Sequence, residues 1–403
     1  MNLIRMAWRN VWRNSRRSLV TIAAMALALW TELIYGGLIS GMVGDMASDI
    51  TELEMGDLQI TSEGWQTRPS LHETVDAAAI LPKLDAGGFR STARLQAGGL
   101  GASGQLSSGV MLLGLDPVRD AKTLTLGQSV GEGEWLDSAD DHGVVVGHGL
   151  ARSLALKPGS ELVVLSQGAD GSMANDLYHV RGVLRTVSAG TDRSAVLLPE
   201  ATFRELMALP SGAHRIVVRI PETMDLATAK AEITAMAPDA RVQTWKEVNP
   251  YMAQMLDAVK VQIKVVYFVM YVAVAILVLN AMLMALFERI REFGVLKALG
   301  YGPLRVFSLM MMEGVFQAGV ATVAGVVLAL PVMYWLQTKG LDIGALSGMS
   351  MMGMTMPTIW RGNYTPEVLS VPIVMLFAIV IVAVLYPAAK AAWIRPVEAM
   401  QHQ

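Results

Sequence analysis

Cysteine is absent from this chain of 403 residues. Its absence excludes disulfide bonds, thiolate metal sites and cysteine nucleophiles, although it leaves the redox compartment open. Charge is also scarce, because Asp, Glu, Lys and Arg make up 17% of the residues and the formal net charge is −3. This balance gives no support for nucleic-acid binding or for an acidic tail. By contrast, 53% of the residues are hydrophobic and the mean hydropathy is +0.42, which excludes a disordered chain and argues against an ordinary soluble enzyme.

Motifs for enzymatic chemistry are missing as well. The chain has no G-x-x-x-x-G-K-[ST] phosphate-binding loop and no G-x-G-x-x-G ahead of a helix, so we do not expect it to hydrolyse ATP itself. Its 6 histidines form no pair at the spacing of a zinc site, and no G-x-S-x-G elbow marks a serine nucleophile. The polar region contains Ser, His and Asp residues, so the sequence alone does not exclude a catalytic triad there. We predict a protein that is not an enzyme and binds no cofactor or metal of its own.

Long apolar runs occur at four places, and each can cross the roughly 30 Å hydrocarbon core, which needs about 20 helical residues. We assign them to residues 19–43, 263–287, 306–336 and 369–389. A polar region, residues 44–262, separates the first run from the other three. This order predicts an α-helical membrane protein with four transmembrane helices in a 1 + 3 arrangement. A large mixed α+β periplasmic domain is inserted between helices 1 and 2.

Basic residues set the predicted orientation, because positively charged flanking segments remain in the cytoplasm. Residues 1–18 contain arginines and no acid, and residues 288–305 contain Arg289, Arg291, Lys297 and Arg305. We therefore expect these segments and the tail 390–403 to be cytoplasmic, with the domain 44–262 outside. The first run is too long for a secretory signal peptide and lacks a small-residue cleavage site, so we interpret it as an uncleaved anchor.

Residues 1–18 also show helical periodicity. Arg5, Arg9 and Arg13 repeat every four residues on one face, whereas Trp8 and Trp12 lie with apolar residues on another. This pattern indicates an amphipathic helix lying on the inner leaflet. A plain basic flank without a helix is the alternative.

The polar region contains short runs of β-forming residues between Gly, Pro and Asp turn signals. We predict strands at 57–61, 109–115, 143–146, 161–166, 178–186, 214–220 and 241–245. A helix over 225–236 between the last two strands predicts a βαβ unit, and residues 116–204 are interpreted as a second, inserted subdomain. From Pro250 a continuous helix is expected to run into the second span as a rigid stalk of roughly 55 Å, at about 1.5 Å per residue.

The segment 288–305 contains a short amphipathic helix. Ile290, Phe293, Leu296 and Leu299 form an apolar stripe at helical spacing, and Gly300 supplies a helix stop. Such a helix either docks a cytoplasmic partner or only rests on lipid.

Three segments resemble motifs of one transporter family. Residues 288–300 resemble E-R-x-R-E-I-G-x-L-[RK]-A-[LI]-G, residues 8–14 resemble W-R-N-x-x-R-[NS], and residues 387–400 resemble P-A-x-[RK]-A-A-x-x-x-P-x-E-A-[LM]. These motifs are typical of FtsX-like, MacB-type (type VII) ABC transporter permeases, and the chain is identified as a member of that family. Within it, residues 147–159 resemble the LolC/LolE lipoprotein-releasing permeases, with Ser160 where those proteins usually have Asp.

The resemblance implies a permease of the bacterial inner membrane that pairs with a second permease subunit, the same or a related chain. It implies a cytoplasmic ABC ATPase dimer that carries ATP and Mg, a lipid or lipoprotein substrate, and a periplasmic carrier or adaptor. It also implies a set of ATPase-coupling residues: Glu288, Arg289, Arg291, Glu292, Phe293, Gly294, Leu296, Lys297, Leu299 and Gly300. Two alternatives stay open, a mechanotransmission or efflux permease and a membrane-anchored periplasmic sensor or binding module.

Two acidic residues lie within the predicted spans, Glu32 and Glu313, and each costs of order 2.5–3.5 kcal/mol at a helix centre. The small residues near Glu32 follow the G-x-x-x-G pattern of closely packed membrane helices. We assign one group to a permease dimer interface or to substrate contact: Trp30, Glu32, Leu33, Tyr35, Gly37, Gly41 and Glu313.

Methionine is abundant, with 27 residues, and a cluster of it lies in the predicted exterior loop 337–368. Thioethers favour Cu(I), so the loop could bind copper. We prefer the interpretation of an adaptable apolar surface, because nothing else in the chain suggests a metal.

Overall fold

Helices of very different lengths make up much of the molecule. The computed structural model describes residues 3–140, 142–221, 223–342, 350–351, 354–355 and 359–394. Its α-helices are α1 (Leu3–Arg13), α2 (Ser15–Asp49), α3 (Ala77–Ala86), α4 (Pro117–Thr123), α5 (His148–Ser153), α6 (Ala189–Ser194), α7 (Glu200–Leu206), α8 (Leu226–Met236), α9 (Trp245–Val248), α10 (Pro250–Glu288), α11 (Ile290–Ala298), α12 (Pro303–Thr338) and α13 (Pro366–Trp393). Among the described residues, 4 helices are long and apolar enough to cross a membrane by length and composition: α2 with the π-helical turn Ile50–Met55 that continues it, α10, α12 and α13.

Local signals define where the last three of these helices begin. The side chain of Asn249 accepts a hydrogen bond from the Met252 amide at 3.2 Å, just ahead of α10. Pro303 occupies the first turn of α12, where its missing N–H leaves no intrahelical bond unmade. Thr365 caps α13 by accepting from the Val368 amide. Helix α10 is unbroken over its 39 residues.

The strands are mostly short. They are β1 (Leu58–Thr61), β2 (Arg90–Ser103), β3 (Leu106–Leu115), β4 (Val130–Gly133), β5 (Gly143–Val146), β6 (Glu161–Gln167), β7 (Met173–Leu184), β8 (Ala195–Pro199), β9 (Arg215–Arg219), β10 (Arg241–Thr244), β11 (Leu341–Asp342), β12 (Ser350–Met351), β13 (Met354–Thr355) and β14 (Ile359–Trp360). The first ten form one mixed sheet in the order β10-β1-β9-β2-β3-β8-β5-β7-β4, and β6 pairs with β2 and β7.

The predicted βαβ unit is split in the structure. Strand β1 pairs antiparallel with both β9 and β10, so that Leu58 lies opposite Val218 on one side and Thr244 on the other. Strands β9 and β10 therefore run parallel but are separated by β1. The predicted strand, helix and strand are therefore present in chain order as β9, α8 and β10, with β1 from a distant part of the chain between the two strands in the sheet.

Strand β2 is the longest strand, at 14 residues, and the sequence analysis did not identify it. It forms a hairpin with β3 that pairs Arg94 with Leu115 at one end and Ser103 with Leu106 at the other. Glycines interrupt its alternation of apolar and polar residues. One of them is required by packing, since a Cβ on Gly99 would lie 2.8 Å from the carbonyl oxygen of Leu165.

Residues 116–204 do not form a separate sheet. Their strand β8 pairs parallel with β3 from Met111 opposite Ala195 to Leu115 opposite Pro199, and β6 pairs with β2. One apolar core, with helices α3, α5, α7 and α8 packed against the sheet, includes residues from both proposed subdomains. The prediction of two subdomains was therefore wrong at the level of the sheet.

The chain divides into two compact units, with boundaries after Gly44 and before Leu256. One unit contains α1, most of α2, and the helices α10 to α13. The other contains the ten-stranded sheet. Of the predicted Met-rich loop, Met349, Met352 and Met356 lie outside the described residues, as does the tail from Arg395 onward with the end of its family motif.

Candidate functional site

Helix α11 connects α10 to α12 within the helical unit. Its residues Ile290, Phe293 and Gly294 are buried against the other helices, with Phe293 only 2% exposed. The helix ends at Ala298, and Gly300 follows with a φ of 91°, a left-handed conformation that favours glycine. The local sequence therefore determines a short helix with one face anchored in the bundle.

Salt bridges join α11 and the last residue of α10 to the amino-terminal segment. Arg13 donates to both carboxylate oxygens of Glu292, one of them at 3.0 Å, and Arg17 donates to Glu288 at 2.9 Å. The Arg13 guanidinium holds the pKa of the Glu292 carboxyl below its usual value. Exposed pairs of this kind contribute only about 0–1 kcal/mol each. These salt bridges matter mainly for position, because they hold together the segments of two sequence motifs that lie far apart in the chain.

A buried charge pair lies behind these contacts. The carboxylate of Glu313, on α12, accepts hydrogen bonds from Arg289 at 3.1 and 3.2 Å and from the Asn10 amide at 2.6 Å. Arg289 also donates to Glu292 at 3.2 Å. These groups border a polar cavity of about 250 Å³. From sequence, Glu313 and Glu32 fall in one group as acids within predicted spans. In the structure Glu313 lies instead beside Asn10 of α1 and Arg289, the residue that precedes α11.

The exposed face of α11 differs from the predicted stripe. Val295 is 50% exposed and Leu299 is 75% exposed, whereas Leu296 is only half-buried. Arg291 is also on the exposed side. The predicted apolar stripe is therefore divided, because Ile290 and Phe293 hold α11 in the bundle while Leu299 is exposed. The role of the stripe in ATPase coupling stays a prediction.

Lys297 has a partner within the chain. Its Nζ atom donates to the carbonyl oxygens of Ala392 at 2.5 Å and Ile394 at 2.7 Å, at the end of α13. A cation at this position satisfies carbonyls that lack intrahelical partners. Burial lowers the pKa of Lys297. This predicted coupling residue therefore fastens α11 to α13.

Helix α1 packs on the same unit through its small apolar side. Ala7 and Val11 are buried, and Trp8 stacks edge-on against Phe316 of α12 with ring centroids 5.6 Å apart. Trp12 lies next to Trp8, at 5.8 Å, and both tryptophans stay partly exposed. Arg5 and Arg9 are exposed, while Arg13 reaches Glu292. The structure thus contains a helix at this position, and it contacts the core of the helical unit through Ala7 and Val11.

The group around Glu32 is enclosed by its own chain. Glu32 is 1% exposed, and neither of its carboxylate oxygens has a hydrogen-bond partner among the described residues. The hydroxyl of Tyr267 donates to the backbone oxygen of Glu32 at 3.2 Å. Leu33 is fully buried, and Trp30 and Tyr35 pack half-buried against the same core.

Gly37 and Gly41 are used for contacts within the chain. A Cβ on Gly37 would lie 2.0 Å from the ring of Tyr364, and one on Gly41 would lie 1.8 Å from the carbonyl oxygen of Arg361. The small residues let the segment before α13 approach α2 closely. The G-x-x-x-G pattern reports close approach and not which chain approaches, so the assignment of these glycines to a dimer interface or to substrate contact stays a prediction.

We expect Gly41→Ala to destabilise the protein by roughly 1–3 kcal/mol, because the added methyl group meets a backbone atom that cannot rotate away. The measurement is the thermal unfolding midpoint of the full-length protein in detergent. Gly319→Ala is the matched control, since a Cβ there meets no atom within 4 Å and α12 should be unaffected or strengthened. Equal midpoints for Gly41→Ala and the wild type would contradict the packing described.

No group of three or more His, Asp or Glu side chains is arranged to hold a metal ion in the part of the chain that the structure describes. The functional residues that the sequence analysis missed are Asn10 and Arg17, together with the pairing of Arg289 to Glu313. The amino-terminal motif contained Asn10, but nothing in the sequence indicated its partner.

Comparison with known families defines the class of this protein. Residues 264–396 match the FtsX-like permease C-terminal family, and residues 18–236 match the MacB-like periplasmic core domain. The chain therefore belongs to the MacB-type, FtsX-like ABC transporter permeases, and the family resemblance seen in its motifs is confirmed. Members of this family are permease subunits, which implies a separate ATPase and a second permease.

Individual relatives are distant. The chain is 22% identical over 409 residues to the lipoprotein-releasing system transmembrane protein LolC of Neisseria meningitidis, covering 96% of this chain and 94% of the relative. It is 22% identical over 288 residues to an uncharacterised ABC transporter permease of Methanocaldococcus jannaschii, covering 68% and 66%. The crystal structure of the periplasmic region of MacB from Actinobacillus actinomycetemcomitans is 15% identical, covers 49% of this chain and 92% of that chain, and superposes with a TM-score of 0.37.

Proposed function

We propose that this permease extracts lipoproteins from the outer leaflet of the inner membrane, using ATP hydrolysed by a separate cytoplasmic ATPase dimer. The full-length similarity to a LolC protein supports this substrate class. In the proposed topology α2 is followed by the sheet unit in the periplasm and then by α10, α12 and α13, with both termini cytoplasmic. ATP and Mg bind to the ATPase, and this chain binds no cofactor.

Helix α11 is the proposed ATPase-coupling element. The observation that carries this role is its combination of a buried face at Phe293 with an exposed apolar face at Val295 and Leu299. The salt bridge of Glu292 to Arg13 ties it to α1, and the contact of Lys297 ties it to α13. Arg289, the residue that precedes α11, pairs with Glu313 of α12. A push on the exposed face would therefore move several membrane helices together. Helix α10 would transmit that motion toward the sheet unit as a rigid stalk.

The proposed substrate path is tested by photocrosslinking from α2. A photoreactive residue at Leu27, which is 60% exposed, should capture a co-reconstituted lipoprotein, whereas the same residue at fully buried Leu33 should capture none. The companion measurement is ATP-dependent transfer of a labelled lipoprotein from proteoliposomes to a periplasmic carrier. Absence of both signals with an active ATPase present would count against lipoprotein release.

A mechanotransmission or efflux permease is the second candidate. The match of residues 18–236 to the MacB-like periplasmic core supports it. In that case ATP hydrolysis should change recovery of a periplasmic adaptor or cell-wall enzyme while no lipid-modified substrate is crosslinked. A membrane-anchored sensor would show neither signal.

A further inference from the structure

A cavity of about 500 Å³ lies entirely within the sheet unit. Its walls come from the last residues of α2, the turn Ile50–Met55, strands β2, β3 and β9, helix α6 and the start of α10. Cavities that bind small molecules usually measure about 300–1,000 Å³. The volume is therefore adequate for a bound organic ligand.

Most of the lining is apolar and adaptable. Four methionines, Met46, Met55, Met111 and Met252, contribute to it, together with Leu53 and Leu113. The unbranched thioether side chain fits contact surfaces of varied shape. Such walls suit a flexible alkyl chain better than a rigid polar solute.

Two arginines also line the cavity, and their situations differ. Arg94 is buried and makes three hydrogen bonds of 2.9 to 3.1 Å to the carboxylate of Asp120. Arg215 makes no ion pair with any described carboxylate, and its buried Nε atom has no hydrogen-bond partner. Burial, reinforced by repulsion from Arg94, lowers the pKa of Arg215 to about 10, so it remains cationic at neutral pH. Attraction to Glu54 and Asp120 opposes this shift. The side chain is partly buried, and its enclosed Nε atom is costly without a partner unless a ligand supplies one.

The acidic groups of the cavity do not neutralise Arg215. Asp49 is exposed, and the two carboxylate oxygens of Glu54 accept hydrogen bonds from the hydroxyls of Ser188, at 3.1 Å, and Thr191. Arg215 is thus the one described cationic group of this lining that lacks an anionic partner.

We propose that this cavity binds an amphiphile with one alkyl chain and one anionic head group, a carboxylate or a phosphate. The head group lies at Arg215 and the chain lies among the methionines. Binding of this amphiphile does not depend on the proposed release of lipoproteins.

The test uses the full-length protein in a non-ionic detergent and a palmitate analogue with a photoreactive diazirine on its chain. Peptides containing Leu53, Met111 or Met252 should carry the label. Arg215→Ala should reduce this labelling about tenfold, the loss expected for one charge-assisted pair, and Arg215→Lys should restore part of it. The uncharged methyl ester of the same probe should label these peptides weakly, and to the same extent in the wild type and in Arg215→Ala.

A second variant blocks the cavity without removing charge. A Cβ on Gly190, which lines the cavity, meets no atom within 4 Å, so Gly190→Trp should fill the space and suppress labelling. Arg193→Ala is the matched control, because this exposed arginine on α6 is outside the lining. Unchanged labelling in Arg215→Ala and Gly190→Trp, or equal labelling by the methyl ester, would overturn the proposal. Displacement of the probe by inorganic phosphate alone would overturn the requirement for an alkyl chain.

Discussion

Replacing Val295 and Leu299 together by Asp is expected to abolish recovery of the partner ATPase with the tagged permease. Both side chains are exposed on or just after α11, and both would have to be desolvated against the ATPase if this face docks it. Two buried charges at an interface would cost more than a typical interface residue contributes. The measurement is co-purification of the ATPase from membranes in which both proteins are co-expressed.

Two controls separate docking from folding. Met173→Asp changes an equally exposed apolar residue on β7, at 78% exposure, and should leave ATPase recovery unchanged. Phe293→Asp places a charge in the bundle and should lower the amount of folded permease as well. Normal ATPase recovery with the Val295 and Leu299 double variant would exclude this face of α11 as the docking surface.

Arg289→Met is expected to destabilise the protein by about 3–5 kcal/mol, because it leaves the Glu313 carboxylate buried without its cation. Glu313→Met should have a smaller effect, because Arg289 is partly exposed and keeps its bond to Glu292. The double variant Arg289→Met with Glu313→Met removes both charges, so most of the stability should return. Thermal unfolding midpoints of the four proteins in one detergent provide the double-mutant cycle.

Glu32→Met, measured in the same experiment, separates the effect of losing a charge pair from the effect of replacing a buried acid. Its carboxylate is as deeply buried as that of Glu313, but no partner depends on it. We therefore expect an unchanged or higher unfolding midpoint. Additive losses in the Arg289 and Glu313 cycle, or a large loss for Glu32→Met, would contradict the pairing described here.

The two intramembrane acids show where sequence reasoning stops. Composition assigns Glu32 and Glu313 the same insertion cost, and both fall inside long apolar runs. Their difference lies in their neighbours, since Asn10 and Arg289 donate to the Glu313 carboxylate. The oxygens of the Glu32 carboxylate have no hydrogen-bond partner among the described residues. The partners of Glu313 are separated from it by up to 303 positions, so only the folded structure reveals them.

The helices were easier to predict than the faces they use. Apolar runs of membrane length have few other stable conformations, and Pro and Gly signals mark the start of α12 and the end of α11. Periodicity correctly placed Ile290 and Phe293 on one side. It failed for Leu299 because the helix ends at Ala298, after which helical spacing no longer applies. Strand β2 could not be predicted because its glycines, of which Gly99 is required for the close approach of β6, interrupt the apolar pattern.

The salt bridges of Arg13 and Arg17 impose an order on biosynthesis. Arg13 and Glu292 are 279 positions apart, and Arg17 and Glu288 are 271 apart. The amino-terminal segment is therefore made long before its partners leave the ribosome, and these two arginines have no acidic partner at residues 288–292 until α10 and α11 have been synthesised. Closing so long a chain segment is a late event in folding. A chain truncated before α11 would retain its first long helix but lose the contacts that fix α1. Formation of the Arg13 salt bridge to Glu292 therefore indicates that the helical unit has been assembled.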